Sequence, residues 1–438
     1  MNNYRRGVTK HVATTSSDEP MNTLSFWETL KLKISLLDYR ILIVMTLLIL
    51  IGIVMVFSST MYLIEPGATT SDPFGFLTRQ FIAISAGYIG IVVTALLPFK
   101  LFENINLLNI GMMIVSILLV FTYFIGVVGG GARSWIVVGP LSFQPSELTK
   151  IMSILIVSWL LKHYERLVIL SRETISHRTT MVSVSLIAFS IVVILIQPDF
   201  GMVALIIATL SIIWIQNRFS TKMNLIIVAV VTFGFMSLTL FSHIFSEALV
   251  DSDWYQFQRI GSFSNPFLYP QTYGYQLING YLAFSRGGWF GVGLGQGLTK
   301  RGALPAGHTD FILAVIGEEF GLIGVMVVIG LLFLLIYYLF VWAAWAKDTY
   351  RRNALVGIAA ILFIQSFINL AGIGGLIPLT GVTLPFVSYG GTSIAVSMIA
   401  IGIAQAMIIQ EKLVQLEDNE SSHLSLVHSS NQQKEELD

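Results

Sequence analysis

The sequence predicts an all-α polytopic membrane protein of ten transmembrane helices, with a large extracellular loop between helices seven and eight. Three observations lead there. Mean hydropathy is +0.77 and only 11% of residues are charged, against about 25% in ordinary soluble domains. That much apolar surface suits a bilayer better than a soluble core. The apolar stretches are about 20 residues long, twice the length of a barrel strand, and lack a period of two, so strands are not expected. A polar, aromatic, Gly-rich stretch at 242–310 interrupts them.

In chain order, residues 1–37 are polar and basic, lack a cleavable signal peptide and read as a disordered cytoplasmic tail. Spans are expected at 40–61, 78–97, 107–126, 145–161, 180–197, 200–217, 223–241, 311–341, 354–373 and 385–409. Ile, Leu, Val and Met fill them, with the scattered Gly and Ser of helices that pack together in lipid. The membrane domain is therefore bounded at 38–410. The segment 411–438 is rich in Ser, Asn, Gln and acidic residues and reads as a disordered cytoplasmic tail. Arg40, Lys100, Lys162, Arg166, Arg172, Arg178, Arg218, Lys222, Lys347, Arg351 and Arg352 all fall on one side if ten spans are correct. The positive-inside bias then puts both termini in the cytoplasm of a bacterial plasma membrane. Zero net charge gives no reason to expect a nucleic-acid partner, and the absence of cysteine excludes disulfides and thiolate-bound metals.

The expected outer segments, 127–146, 242–310 and 372–386, are dense in Gly and Pro. The second far exceeds a connector in length, which favours function or short interfacial helices. Asp310 lies where it joins span eight, in LPAGHTDFILAVIGEEFG, behind Pro305 and Gly307. It either occupies a first helical turn, where the amide dipoles favour negative charge, or is a partly desolvated carboxylate serving as a base. His308, two residues away, either shares that site or caps the span. Glu318 and Glu319 lie inside span eight and need interior partners. Glu318 is about 12 Å from Asp310 along a helix axis, too far for a paired-carboxylate site, so a structural salt bridge is the expected role. Glu147 and Lys150 in FQPSELTK can pair on one face at a helix start, or the lysine can meet an anionic ligand. Asp199 reads as an N-cap. Arg133, Arg259 and Arg286 are either interfacial anchors or donors to a diphosphate. The glycines of SRGGWFGVGLGQG lack the ending of a nucleotide loop and suit close backbone approach or a lid. There is no zinc pattern.

GGARSWI, FQPSELTK, QPDFG, QRIGSFSNPF, GYQLINGYLA, GGWFGVGLG, HTDFILAVIGEEFG and PLTGVTLPFVSYGGTS follow one another in this order. Together they resemble the SEDS polytopic membrane glycosyltransferases, from about Asp38 to Gln410. The resemblance implies polymerisation of lipid II, the undecaprenyl-diphosphate-linked disaccharide pentapeptide, at the outer membrane face. It aligns Asp310 with the family's essential aspartate. It places Arg133, Glu147, Lys150, Asp199 and Arg259 on family motif positions. Ala306, where many members have glutamate, and Leu313, in place of a phenylalanine, depart from the pattern without touching Asp310. The wording is closer to the family's division branch than to its elongation branch. Implied partners are a class B penicillin-binding protein and membrane proteins of the divisome, at the septum. A divalent cation, Mg or Mn, is a possible aid to the leaving diphosphate. A lipid II flippase and a non-catalytic division scaffold are the rival readings.

Overall fold

The computed structural model describes residues 25–63, 72–129, 132–139, 141–170, 177–217, 244–250, 255–271, 274–304 and 306–435, with single positions between 226 and 241. It divides into two compact units, residues up to Leu37 and residues from Asp38 onward. The first carries α1 (Phe26–Ser35), in the segment expected to be a disordered tail. Ser25 accepts from the Glu28 amide while the Glu28 carboxylate takes the Ser25 amide, a reciprocal cap that fixes the helix start.

The second unit is a helical membrane protein. Its long helices are α2 (Tyr39–Thr60), α3 (Pro73–Leu96), α4 (Ile105–Ile125), α5 (Pro145–Leu170), α6 (His177–Ile196), α7 (Phe200–Gln216), α10 (Ile312–Trp345), α11 (Thr349–Ile373) and α12 (Gly391–Glu435). Among the shorter helices between α7 and α10 are α8 (Tyr255–Ser264) and α9 (Tyr275–Gly287). Among the described residues, seven helices are long and apolar enough to cross a membrane. α7 is apolar but has 17 residues, and α5 carries Glu147, Lys150 and Lys162. The span expected at 223–241 falls largely outside the described residues. α12 begins at Gly391 rather than near 385, because Phe386 takes a φ of 64° and the chain through Gly390 is turn. It continues to Glu435, through the segment read from the sequence as a disordered tail.

One correction concerns strands. Residues 127–143 form a three-stranded antiparallel sheet, β1 (Val127–Gly129), β2 (Ala132–Val138) and β3 (Leu141–Phe143), in the order β1-β2-β3. Val128 pairs with Arg133 and Ile136 with Phe143. The argument from length excluded only membrane-crossing strands. The Val, Ile and Trp content of VVGGGARSWIVV suits a short pleated ribbon. Gly139, at φ 59°, supplies the left-handed residue in the turn after β2.

α11 and α12 are the most buried of the candidate spans. α12 packs against α3 along small residues: a methyl group added at Gly87 would strike Met398, and one at Gly90 would strike Ile399. Close approach of this kind is how helices gain contact energy in lipid. α10 breaks at Gly321 (φ 66°, ψ −166°). The segment after α9 fills the gap. Val292 and Gly293 donate to the Glu318 and Glu319 carbonyls at 2.9 and 3.0 Å. Leu322 and Ile323 donate to the Gly288 and Trp289 carbonyls at 2.9 and 3.2 Å. Backbone groups released by the break are thus paired within the protein, as membrane depth requires. Side chains at Gly287, Gly291 or Gly321 would collide with this backbone, so close approach explains the glycine run.

Candidate active site

At one end of the bundle a polar layer joins six parts of the chain: the β-ribbon, the start of α5, the turn before α7, the 304–310 segment, α11 and the loop between α11 and α12. Asp310 lies just before α10 and is 8% exposed. The Thr309 hydroxyl donates to its Oδ1 at 3.1 Å. Its carbonyl accepts from Asn369 Nδ2 at 2.8 Å, and the same amide nitrogen donates to the Val382 carbonyl. Asn369 therefore pins the base of α10 to the following loop.

One turn earlier on α11, Gln365 accepts from Lys150 Nζ at 3.0 Å and donates to the Thr383 carbonyl at 3.0 Å. Positions four apart share a helix face, about 6 Å apart along the axis. Lys150 and Asp310 are thus held by adjacent turns of one helix. Lys150 also lies 2.7 Å from Glu147 Oε2, and both residues are buried. That oxygen makes no well-directed hydrogen bond despite the short distance, so the contact is one of charge more than of geometry. The pair sits where the sequence placed it, and it faces the interior.

Asp199 caps α7, accepting from the Met202 amide at 3.1 Å, and Gln144 Nε2 donates to its other oxygen at 3.0 Å. Its surface exposure is intermediate, but atoms crowd the carboxyl closely. This loss of solvation, reinforced by the Glu147 charge and opposed by its hydrogen bonds and Lys150, pushes its pKa up to about 6. The cap expected from sequence is present, with a titration near neutrality as a further property. Arg133, exposed on β2, borders a cavity of about 270 Å³ lined by Tyr123, Phe124, Ile196, Gln197 and Pro198.

The other candidates differ in placement. His308 is set between the rings of Phe76 and Tyr389, at 5.3 and 5.5 Å, and its carbonyl accepts from the Tyr389 amide. Its surroundings hold the loop. Arg286 lies in the last turn of α9 rather than in an unfixed glycine segment, 3.7 Å from Glu318. The contact is long and leaves the guanidinium 43% exposed beside the buried carboxylate at the α10 break. Arg259 is in α8, and its side chain is outside the described residues. Glu318 accepts from the Leu298 and Thr299 amides and the Thr299 hydroxyl. Glu319 pairs with Lys300 at 2.7 Å, both fully buried, and Ser58 joins them. Both glutamates thus have the interior partners that their position demanded.

Sequence reasoning missed Gln144, Gln365, Asn369 and Lys300. The signal for two of them was present: Gln365 and Asn369 stand four apart in an apolar span. Among the described residues no three His, Cys, Asp or Glu side chains cluster as a resident metal site would.

Residues 39–413 match the family model for FtsW/RodA/SpoVE, described as cell cycle protein. The chain is 37% identical over 371 residues to a probable peptidoglycan glycosyltransferase FtsW of Bacillus subtilis (strain 168), covering 84% of this chain and 89% of that one. It is 32% identical over 406 residues to a protein of the same description from Enterococcus hirae, covering 90% and 98%. Its fold resembles that in a structure reported as "Structural coordination of polymerization and crosslinking by a peptidoglycan synthase complex", with TM-score 0.64, 24% identity and coverage of 86% and 98%. It also resembles the rod shape determining protein RodA of Thermus thermophilus, with TM-score 0.56, 23% identity and coverage of 86% and 97%. The chain belongs to the SEDS family, the FtsW/RodA/SpoVE cell cycle proteins.

Proposed function

We propose that the chain is a peptidoglycan glycosyltransferase that polymerises lipid II into glycan strands during septal cell division. The carrying observation is Asp310, a buried residue just before α10 whose main-chain carbonyl is held by Asn369, one α11 turn from the Gln365 that holds the Lys150 ammonium. In this reading an acceptor sugar hydroxyl loses its proton to Asp310 as its oxygen attacks the donor's anomeric carbon. A new glycosidic C–O bond forms, the bond from the anomeric carbon to the diphosphate oxygen breaks, and the lipid diphosphate leaves with the electron pair. Lys150 is suited to hold that anion, because a fixed cation in a water-poor site stabilises developing charge strongly, and Arg133, exposed on β2 beside the cavity, can meet it from the solvent side. Arg259 is a further candidate by its motif. Among the described residues no three His, Cys, Asp or Glu side chains gather to hold a divalent cation, so a cation aiding the leaving diphosphate would rest on the phosphates themselves.

Ten spans, cytoplasmic termini and an outward-facing polar layer fit this chemistry, because the lipid-linked donor needs a site open to both water and bilayer. A class B penicillin-binding protein is the partner this reading names, and a complex of polymerisation with crosslinking is described for one fold relative. The test is purified protein with labelled lipid II, with and without that partner. Polymer made in the absence of any other polymerase is the expected result. Lipid movement without polymer would instead favour a flippase. Asp310→Asn should insert normally and lose at least about 10²-fold in rate, the usual share of a general base. Near-wild-type polymer from that variant would remove Asp310 from the mechanism.

A further inference from the structure

The segment between α9 and the Lys300 anchor carries exposed apolar side chains within the large outer loop expected from sequence. Trp289 is 68% exposed and Phe290 82%, and Val292, Leu294 and Leu298 are also exposed. Contiguous apolar surface of this kind calls for a nonaqueous neighbour. The segment is not a free loop. Its backbone is bonded to α10 at Glu318–Ile323, on both sides of the Gly321 break.

That pairing fixes its level. Glu318 lies about 9 Å along the axis from the start of α10 at Ile312. The 23 residues from Ile323 to Trp345 rise about 34 Å, enough for the roughly 30 Å hydrocarbon core. The segment therefore sits beside the end of the stretch that crosses the core, at the boundary between acyl chains and headgroups. Phe320, Leu322, Ile323 and Met326 of α10 are exposed at the same level and just beyond, and they continue the apolar surface of a membrane-crossing helix. Trp and Phe are suited to that boundary. The polar groups of the segment turn the other way: the Leu298 and Thr299 amides bind Glu318, and Lys300 binds Glu319 and Ser58.

We propose that Gly288–Leu298 is a lipid-immersed strap, with Trp289, Phe290 and Leu294 against the acyl chains of one leaflet. Its apolar side faces lipid, its backbone repairs the α10 break, and its far end is staked by Lys300. The chain then leaves directly for Asp310, so the strap seats the catalytic segment at the membrane surface.

The chain has no native cysteine, so a nitroxide can be placed at Phe290→Cys alone. The labelled protein is reconstituted in phosphatidylcholine–phosphatidylglycerol vesicles, and collision with oxygen is compared with collision with a water-soluble nickel chelate. Met326→Cys on the apolar face of α10 is the lipid reference, and Lys347→Cys, exposed in the turn between α10 and α11, is the water reference. The expected result is a Phe290 site favouring oxygen several-fold, as at Met326. A site as open to nickel as Lys347, or one closed to both reagents, overturns the proposal. Leu294→Cys, half-exposed on the same segment, gives a second reading if the first label perturbs folding.

Discussion

Asp199 is the residue whose surroundings make the sharpest claim about pH. Its folded pKa, raised to about 6, lies above the usual aspartate value. The folded state therefore binds the proton more tightly than the unfolded state between those two values. Below both there is no penalty; as pH rises through about 6, ionising Asp199 costs stability. Asparagine keeps an N-cap oxygen for Met202 and removes the charge. The difference in thermal midpoint, Asp199→Asn minus wild type, should grow in the variant's favour as pH rises from about 4 to about 7 and then level off. A difference independent of pH would show that the carboxyl is not held protonated by its surroundings. Residue identity foretold part of this. The QPD turn made a cap legible, but Gln144 and Glu147 come from a separate segment at the start of α5 that only the fold brings beside Asp199. The same holds for Lys150: its pairing with Glu147 follows from spacing, while its second partner, Gln365, lies 215 residues away.

The break in α10 shows what an element conceals at the level of pattern. The apolar run resumes directly after Glu318 and Glu319, so the sequence reads as one continuous span, whereas the backbone at Gly321 is open to glycine alone. Gly321→Ala should lower the thermal midpoint, since its φ/ψ costs about 1–3 kcal/mol for a side chain and its methyl would meet the Trp289 carbonyl. An unchanged melting curve would mean the strap is not held against the break. Lys300 and Glu319 give a companion test. Removing one member of a buried ion pair costs about 3–5 kcal/mol, while replacing both with apolar residues of similar size is often neutral. Lys300→Met and Glu319→Leu should each destabilise, and the double variant should recover much of the loss. Additive losses would argue against a pair. The long helices were legible because their period and length are properties of continuous sequence. The β-ribbon was not, because its strands are too short to leave a period in hydropathy. The sequence showed that Glu319 needed a partner but could not say which cation supplied it, because the alternating glycines 291–297 that bring Lys300 back to α10 carry no signal of the helix they pack against.

Charge is distributed unevenly over the whole molecule, and this bears on its orientation. At the end away from Asp310, Lys162 bridges Glu103 at 2.8 Å and Asp348 at 2.9 Å, and Arg351 pairs with Glu411 at 2.8 Å. Burial alone would raise the Asp348 pKa, yet the Lys162 hydrogen bond and charge hold it below the ordinary value. These cations knit α5, α11 and α12 together where no substrate chemistry is proposed. They also carry the positive bias from which the proposed orientation takes this end as cytoplasmic. The polar layer around Asp310 lies at the opposite end, which the proposed function requires to face the lipid-linked sugar donor. Folding and topology thus draw on the same basic residues. The cysteine-free sequence makes the orientation measurable in intact cells. Thr380→Cys, exposed in the loop between α11 and α12, and Gln271→Cys, exposed between α8 and α9, should react with a membrane-impermeant thiol reagent added outside. Lys347→Cys, exposed in the α10–α11 turn, should react only after the membrane is opened. Labelling of Lys347→Cys in sealed cells, with Thr380→Cys and Gln271→Cys protected, would invert the molecule. It would place Asp310 on the cytoplasmic face and leave the polymerase reading without an outer-leaflet donor.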